Sequence, residues 1–140
     1  MSSSEARPWD RFLPGSSDEG GSPFASAHAG RCVLVTGAGG YIGSALVKAI
    51  AGAGPRCLVL LDSSEYNLFE IRRHVEQTTG QVPHTAVLGS VEDVALLDDI
   101  FSRFHPEIVY HAAAFKHVPL LELNPIAAVR NNSIGTWAVA

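Results

Sequence analysis

What the sequence lacks narrows it first. No excess of positive charge is present: 10 Lys and Arg stand against 14 Asp and Glu, a formal net charge of −4 over 140 residues. Without a basic footprint, nucleic acid is not an expected partner, and an anionic membrane surface is no more attractive. No apolar run approaches the roughly 20 residues that would cross a bilayer. The opening residues are polar and have no apolar core of a signal peptide, so a cytoplasmic protein is expected. Cysteine is scarce, with Cys32 and Cys57 alone. With no CxxC spacing, both are expected to be reduced core thiols, and no metal site is expected.

Residues 1–29 show no hydrophobic periodicity and are rich in Ser, Gly and Pro, which predicts a disordered tail. Trp9, Phe12 and Leu13 are its only candidates for a docking element. The chain as a whole is 46% apolar, and residues 30–140 are enough for one domain with a core of ordinary size.

That domain is organised around Cys32 to Gly43, CVLVTGAGGYIG. A short apolar run breaks into a glycine-rich turn and leads into a helical pattern, the beginning of a dinucleotide-binding fold. Gly37 permits the tight turn, Gly39 and Gly40 let the backbone approach a pyrophosphate, and Gly43 lets the helix pack closely. The phosphates would sit on the amino end of that helix, at Tyr41, Ile42 and Gly43. Ile42, Ala45, Leu46, Ala49 and Ile50 follow at helical spacing, and Gly52 to Pro55 ends the helix.

A second strand, Cys57 to Leu61, ends in Asp62, about 20 residues past the motif, where a carboxylate accepts from ribose hydroxyls. Ser63 and Ser64 then cap a helix with Leu68, Ile71 and Val75 on one face. Thr85 to Leu88 forms the third strand. Ser90 and Asp93 have capping-box spacing for a helix facing inward through Val94, Leu97, Phe101 and Phe104. Asp93 has two readings, helix-cap partner or acceptor for an adenine amino group.

A fourth strand, Ile108 to His111, runs into Ala112, Ala113 and Ala114. These leave room for a ligand at the sheet's carboxyl end, or serve tight packing. Lys116 and His117 follow, a polar pair at the end of the sheet where such folds bind ligands, or else solvated loop charges. A last helix begins at Asn124-Pro125 and is expected to turn Ile126, Val129 and Ile134 inward. The alternation predicts an α/β, Rossmann-like, doubly wound parallel sheet of about four βα units, incomplete as it stands. Val109, Ile134 and Trp137 should be incompletely covered.

These residues carry a resemblance from about Arg31 to Ala140. TGAGGYIG resembles the glycine motif of extended short-chain dehydrogenases. LLDSSEYNLFEI, VYHAAAFKHVPLLELNP and NNSIGT resemble bacterial polysaccharide-biosynthesis proteins of the CapD type, which are nucleoside-diphosphate-sugar 4,6-dehydratases and related epimerases. The resemblance implies that Asp62 is the strand-end acid, Asp93 the adenine-contacting acid, and that Lys116, His117 and Asn132 lie near nicotinamide and substrate. Tyr41 stands where the group often has serine. The group's Tyr-x-x-x-Lys or Thr-Asp-Lys segment, which moves the proton at the oxidised sugar carbon, has no counterpart here. Four residues beyond Tyr41, Tyr66 and Tyr110 stand Ala45, Glu70 and Ala114, and the only lysines are Lys48 and Lys116.

The expectation is therefore the amino-terminal, NAD(P)-binding half of a sugar-nucleotide dehydratase or epimerase, with NAD preferred because Asp62 repels a 2′-phosphate. Ser63, Ser64, Arg72 and Arg73 are the groups through which NADP could be accepted instead. In a full-length form the implied partner is a UDP-sugar, and homo-oligomerisation is left open. A non-catalytic NAD-binding module is the alternative from a different class.

Overall fold

The computed structural model describes residues 22–79 and 82–140. Four parallel strands form one sheet in the order β3-β2-β1-β4, with β1 at Cys32–Thr36, β2 at Cys57–Asp62, β3 at His84–Leu88 and β4 at Ile108–His111. The helices are α1 Pro23–His28, α2 Tyr41–Gly52, α3 Glu65–Thr79, α4 Val94–Phe104, α5 Val118–Leu123 and α6 Pro125–Ala128. A π-helical turn, Val129–Ile134, then joins α6 to α7, Gly135–Val139. The sheet is the expected Rossmann-like one.

Alternation along β1 and β2 builds two cores, because successive side chains of a strand point to opposite faces. Val33, Val35, Leu58 and Leu60 meet Val47 and Ile50 of α2 and Leu68, Ile71 and Val75 of α3. Leu34, Val59 and Leu61 meet Leu97 and Ile100 of α4 and Val139 of α7. Both strands are therefore apolar at nearly every position, as expected of a parallel sheet covered on two faces.

Several local expectations shift. Helix α2 buries Gly43, Val47, Ile50 and Ala51, whereas Ile42 is largely exposed. Ile42 sits in the first turn of the helix, and the inward stripe starts one residue later, at Gly43. Asp93, not Ser90, is the N-cap of α4, its Oδ1 accepting from the Leu96 N–H at 3.0 Å. Ser90 instead closes the preceding turn. A short extra helix, α5, occupies the stretch between β4 and Asn124 that reads as loop in the sequence.

The last helix shows the largest difference. Ile126, Val129 and Ile134 are exposed, Ile126 by 71%, and Asn131, Gly135 and Val139 form the inner stripe. The wide turn places Asn131 toward the sheet, and a Cβ at Gly135 would stand 2.6 Å from Val91 Cγ2, so this helix approaches more closely than an Ile-lined face allows.

Two further corrections concern long-range contacts. Cys32 and Cys57 are joined by a disulfide, not left as reduced thiols. The two are register partners on adjacent parallel strands, their Cα atoms 4.5 Å apart. Residues 23–28, inside the stretch read as tail, form α1, and His28 is buried. His28 Nδ1 lies 2.6 Å from the Phe24 carbonyl and Nε2 lies 2.7 Å from Tyr110 Oη. With Nδ1–H donating to the carbonyl, Nε2 accepts from the tyrosine hydroxyl, which satisfies the buried imidazole and the half-buried phenol. Trp9, Phe12 and Leu13 lie outside the described residues.

Candidate functional site

The carboxyl ends of the strands open into a cleft of about 250 Å3. Gly37 and Gly40 of the turn after β1 line it, with Asp62, Ser63 and Ser64 after β2, Gly89, Ser90 and Val91 after β3, and Ala112 to Phe115 after β4. Four strand ends thus contribute to one opening, at the end of the sheet where open α/β folds take ligands.

Local geometry explains the glycine turn. Gly37 has φ +63°, and a Cβ there would come within 2.8 Å of the Ala112 and Ala113 backbone, so the turn needs both the left-handed conformation and the missing side chain. At Gly43 a Cβ would lie 1.9 Å from the Gly37 carbonyl oxygen. Gly39 differs from expectation: its Cβ would meet the Asn67 backbone of α3 at 2.6 Å, so packing between the turn and α3 already requires glycine there.

The N-cap of α2 is Gly40, and no side chain caps this helix. First-turn N–H groups have no partner within a helix, so those of Tyr41, Ile42 and Gly43, which follow Gly40 of the cleft lining, lie at the positive end of the helix dipole. Opposite in sign is Asp62, 8% exposed. Its Oδ2 accepts from the Gly39 N–H and its Oδ1 from the Ser64 N–H, each at 2.8 Å. One carboxylate therefore ties the glycine turn to the β2–α3 turn, and each oxygen keeps a further acceptor site.

Of the residues singled out in the sequence, Gly37, Gly40, Asp62, Ala112, Ala113 and Ala114 line the cleft. Gly39 and Gly43 shape its glycine turn from behind. Tyr41 is 86% exposed at the head of α2, with Lys116 Nζ 5.8 Å from its ring centroid. Asp93 caps α4 and does not line the cleft; Gly89, Ser90 and Val91 are what that turn contributes. Lys116 and His117 are exposed and line an adjoining apolar pocket of about 440 Å3 with Leu120, Leu121 and Ala127. Ala114 and Phe115 border both openings.

Asn132 reaches the same loop through its amide. Its Nδ2 donates to the Phe115 carbonyl at 2.9 Å and its Oδ1 accepts from the Phe115 N–H at 2.8 Å. Sequence reading missed Asn131, which is 8% exposed, lines the cleft and donates to Asn132 Oδ1 at 2.9 Å. The Asn131-Asn132 pair was the available signal, but only the π-helical turn decides that Asn131 faces the ligand end. Another groove, about 270 Å3 between α2 and α3, is lined by Lys48, Arg73 and His74 and touches the glycine turn only at Gly39. Among the described residues, no cluster of His, Cys, Asp and Glu is placed to hold a metal ion, and no helix is long and apolar enough to cross a membrane.

A parallel sheet with an uncapped, glycine-led helix and a strand-end acid at one cleft defines a Rossmann-like α/β protein. The chain belongs to the polysaccharide biosynthesis protein family, whose pattern it matches over residues 33–140. It is 39% identical over 111 residues to the capsular polysaccharide biosynthesis protein CapD of Staphylococcus aureus, covering 79% of this chain and 18% of CapD. Against the probable polysaccharide biosynthesis protein EpsC of Bacillus subtilis it is 42% identical over 113 residues, covering 79% and 19%. It is 31% identical to a dTDP-glucose 4,6-dehydratase of Salmonella typhimurium, covering 76% of this chain and 29% of that one. The chain thus spans under a third of the length of these relatives.

Solved structures agree. Pen from Bacillus thuringiensis superposes with TM-score 0.71 at 26% identity, over 79% of this chain and 33% of that one. A UDP-glucose-4-epimerase of Stenotrophomonas maltophila, with bound NAD and formylated UDP-arabinopyranose, superposes with TM-score 0.66 at 26% identity, over 78% and 32%.

Proposed function

We propose that the chain is the cofactor-holding portion of a sugar-nucleotide 4,6-dehydratase in polysaccharide biosynthesis, with NAD as cofactor and a UDP-sugar as the substrate of a full-length form. The observation that carries this is the pairing, at one cleft, of an uncapped helix end with an acid anchored by two backbone N–H groups. The residues suit NAD. Tyr41, Ile42 and Gly43 offer N–H groups to a pyrophosphate. Asp62 has acceptor capacity left for the ribose diol, and its charge disfavours a 2′-phosphate. Ala112 to Ala114 and Asn131 provide a low wall and an amide at the far side.

Bound NAD would supply a reversible hydride acceptor. The chain's own contribution is to orient that group and to place Lys116 and His117, a cation and an imidazole able to move a proton, at the adjoining pocket. No Tyr-x-x-x-Lys occurs in the 140 residues, so this chain by itself is expected to form no keto sugar.

Calorimetric titration with NAD and with NADP is the direct test. Tighter NAD binding is expected; tighter NADP binding would remove the role given to Asp62, and binding of neither would remove the reading. Incubation with NAD and UDP-N-acetylglucosamine should yield no 4-keto product by mass spectrometry. Turnover that disappears on Lys116→Ala or His117→Ala would instead locate the catalytic centre within this chain. Epimerisation is the second reading, favoured by the likeness to the solved epimerase. It would appear in a full-length form as a sugar inverted at one carbon with no loss of water.

A further inference from the structure

Cys32 and Cys57 open β1 and β2 as register partners, at the opposite end of the strands from the cleft. Their bond closes a loop over a sequence separation of 25, and that loop contains the glycine turn and α2. The backbone around the two cysteines is held without the bond. Beyond them the strands stay paired in register, from Val33 with Leu58 to Thr36 with Leu61. The Arg31 carbonyl accepts from the Arg56 N–H at 2.8 Å and from the Cys57 N–H at 3.4 Å. Glu107 Oε1 accepts from the Cys32 N–H at 3.2 Å and from Arg56 Nη2 at 2.7 Å. Breaking the sulfur bond therefore leaves two thiols side by side on a fixed ladder, where reclosure is intramolecular and the effective concentration is high. The two residues differ in access: Cys32 is fully buried and Cys57 is half-buried. Exposed Arg31 and Arg56 immediately precede them, and their positive charge favours an incoming thiolate.

We propose that the Cys32–Cys57 pair is a reversible thiol-exchange site, a clasp around the glycine turn and α2 that a low-molecular-weight thiol opens at Cys57 and a low-molecular-weight disulfide closes. The small thiolate bonds to the Cys57 sulfur, and the Cys32 sulfur departs with the electron pair of the broken S–S bond and takes up a proton. A second small thiolate attacks the small-molecule sulfur of the mixed disulfide, releasing Cys57 as a thiolate that is protonated in turn. Two small thiols are thereby oxidised to one symmetrical disulfide while the protein disulfide is reduced to two thiols, and the reverse sequence restores the bond. Open and closed forms share the sheet, since the ladder orders the folded chain in both. They differ in stability, because the bond restricts the unfolded chain. The cleft lies at the other end of the strands, so dinucleotide affinity is expected to change little. The clasp does not rest on the function proposed above.

The experiment equilibrates the folded full chain, without denaturant, in mixtures of reduced and oxidised glutathione, followed by acid quenching, alkylation and peptide mass mapping. The disulfide is expected to open as reduced glutathione rises and to re-form when the ratio is reversed, with far-UV circular dichroism unchanged and the mixed disulfide found on Cys57. The thermal midpoint should fall by about 10 °C in the reduced form. Cys32→Ser should take up glutathione at Cys57 at least about tenfold faster than Cys57→Ser does at Cys32, and both variants should melt with the reduced chain. The map of the unaltered chain carries the test if either variant fails to fold. A bond that opens only when urea unfolds the chain makes the pair a static staple and overturns the proposal. So do thiols that stay reduced in excess oxidised glutathione, and so does glutathione found on Cys32 as readily as on Cys57.

Discussion

Asp62 joins the two turns that frame the cleft, and its effect should be separable from bulk stability. Asp62→Asn keeps the shape but leaves one oxygen where two accept, from the Gly39 and Ser64 N–H groups. Losing a charge-assisted bond to a largely buried group is expected to cost about 2 kcal/mol in chemical denaturation. NAD affinity should fall about tenfold or more while NADP changes less; equal losses for the two dinucleotides would contradict the ribose assignment. His111 sets a pH dependence. Its folded value lies below the ordinary 6.5 because of burial. Between the two values the unfolded chain therefore binds more protons than the folded one. Stability is full above about pH 6.5, declines as pH falls toward the lowered folded value, and levels off beneath it. Urea midpoints from pH 7.5 to pH 5 should show this decline, and His111→Gln should show a shallower one; identical slopes would assign the effect to other groups.

Among the elements, α2 is the one whose seating the glycine turn controls. Gly43 and Gly52 lie in the same helix, and only the first has a neighbour in the way. Gly43→Ala would drive a Cβ to 1.9 Å from the Gly37 oxygen, where the obstacle is backbone and cannot rotate aside. About 3 kcal/mol or more of destabilisation is expected, with loss of dinucleotide binding. Gly52→Ala meets nothing within 4 Å and should be neutral or stabilising by up to about 1 kcal/mol. Thermal melts of the two variants check the pair, and similar midpoints would mean that the turn relaxes more freely than its contacts indicate.

Over the whole molecule, the sheet is less protected at β4 than at β1 and β2. Strand β4 pairs only with β1 among the described residues and is half-buried throughout. Beyond it, Val118, Leu120, Leu123, Ile126, Val129 and Trp137 are exposed, Trp137 by 78%. The incomplete cover expected at Ile134 and Trp137 is present, and Val109 is half-buried. So large an apolar surface favours association. Sedimentation of the chain should show concentration-dependent self-association, reduced by Leu123→Lys with Trp137→Glu. A monodisperse monomer at high concentration, unchanged by those substitutions, would be the contrary result.

Much of this architecture was readable from local pattern, because strand alternation, glycine turns and helix stripes depend on neighbours a few residues away. Leu68, Ile71 and Val75 fall on one buried face as their spacing predicts, and Gly37, Gly40, Asp62 and Ala112 to Ala114 gather at one cleft because a parallel βαβ order brings strand ends to the same side. The remainder depends on register and helix phase. The pairing of Cys32 with Cys57 follows from how two strands 25 residues apart align. The docking of α1 rests on a His28–Tyr110 contact across 82 residues. Asn131 enters the cleft while Ile126 and Ile134 turn outward because one wide helical turn resets the phase of the final helix, and a stretch of apolar residues at helical spacing does not disclose which of its faces the sheet will accept.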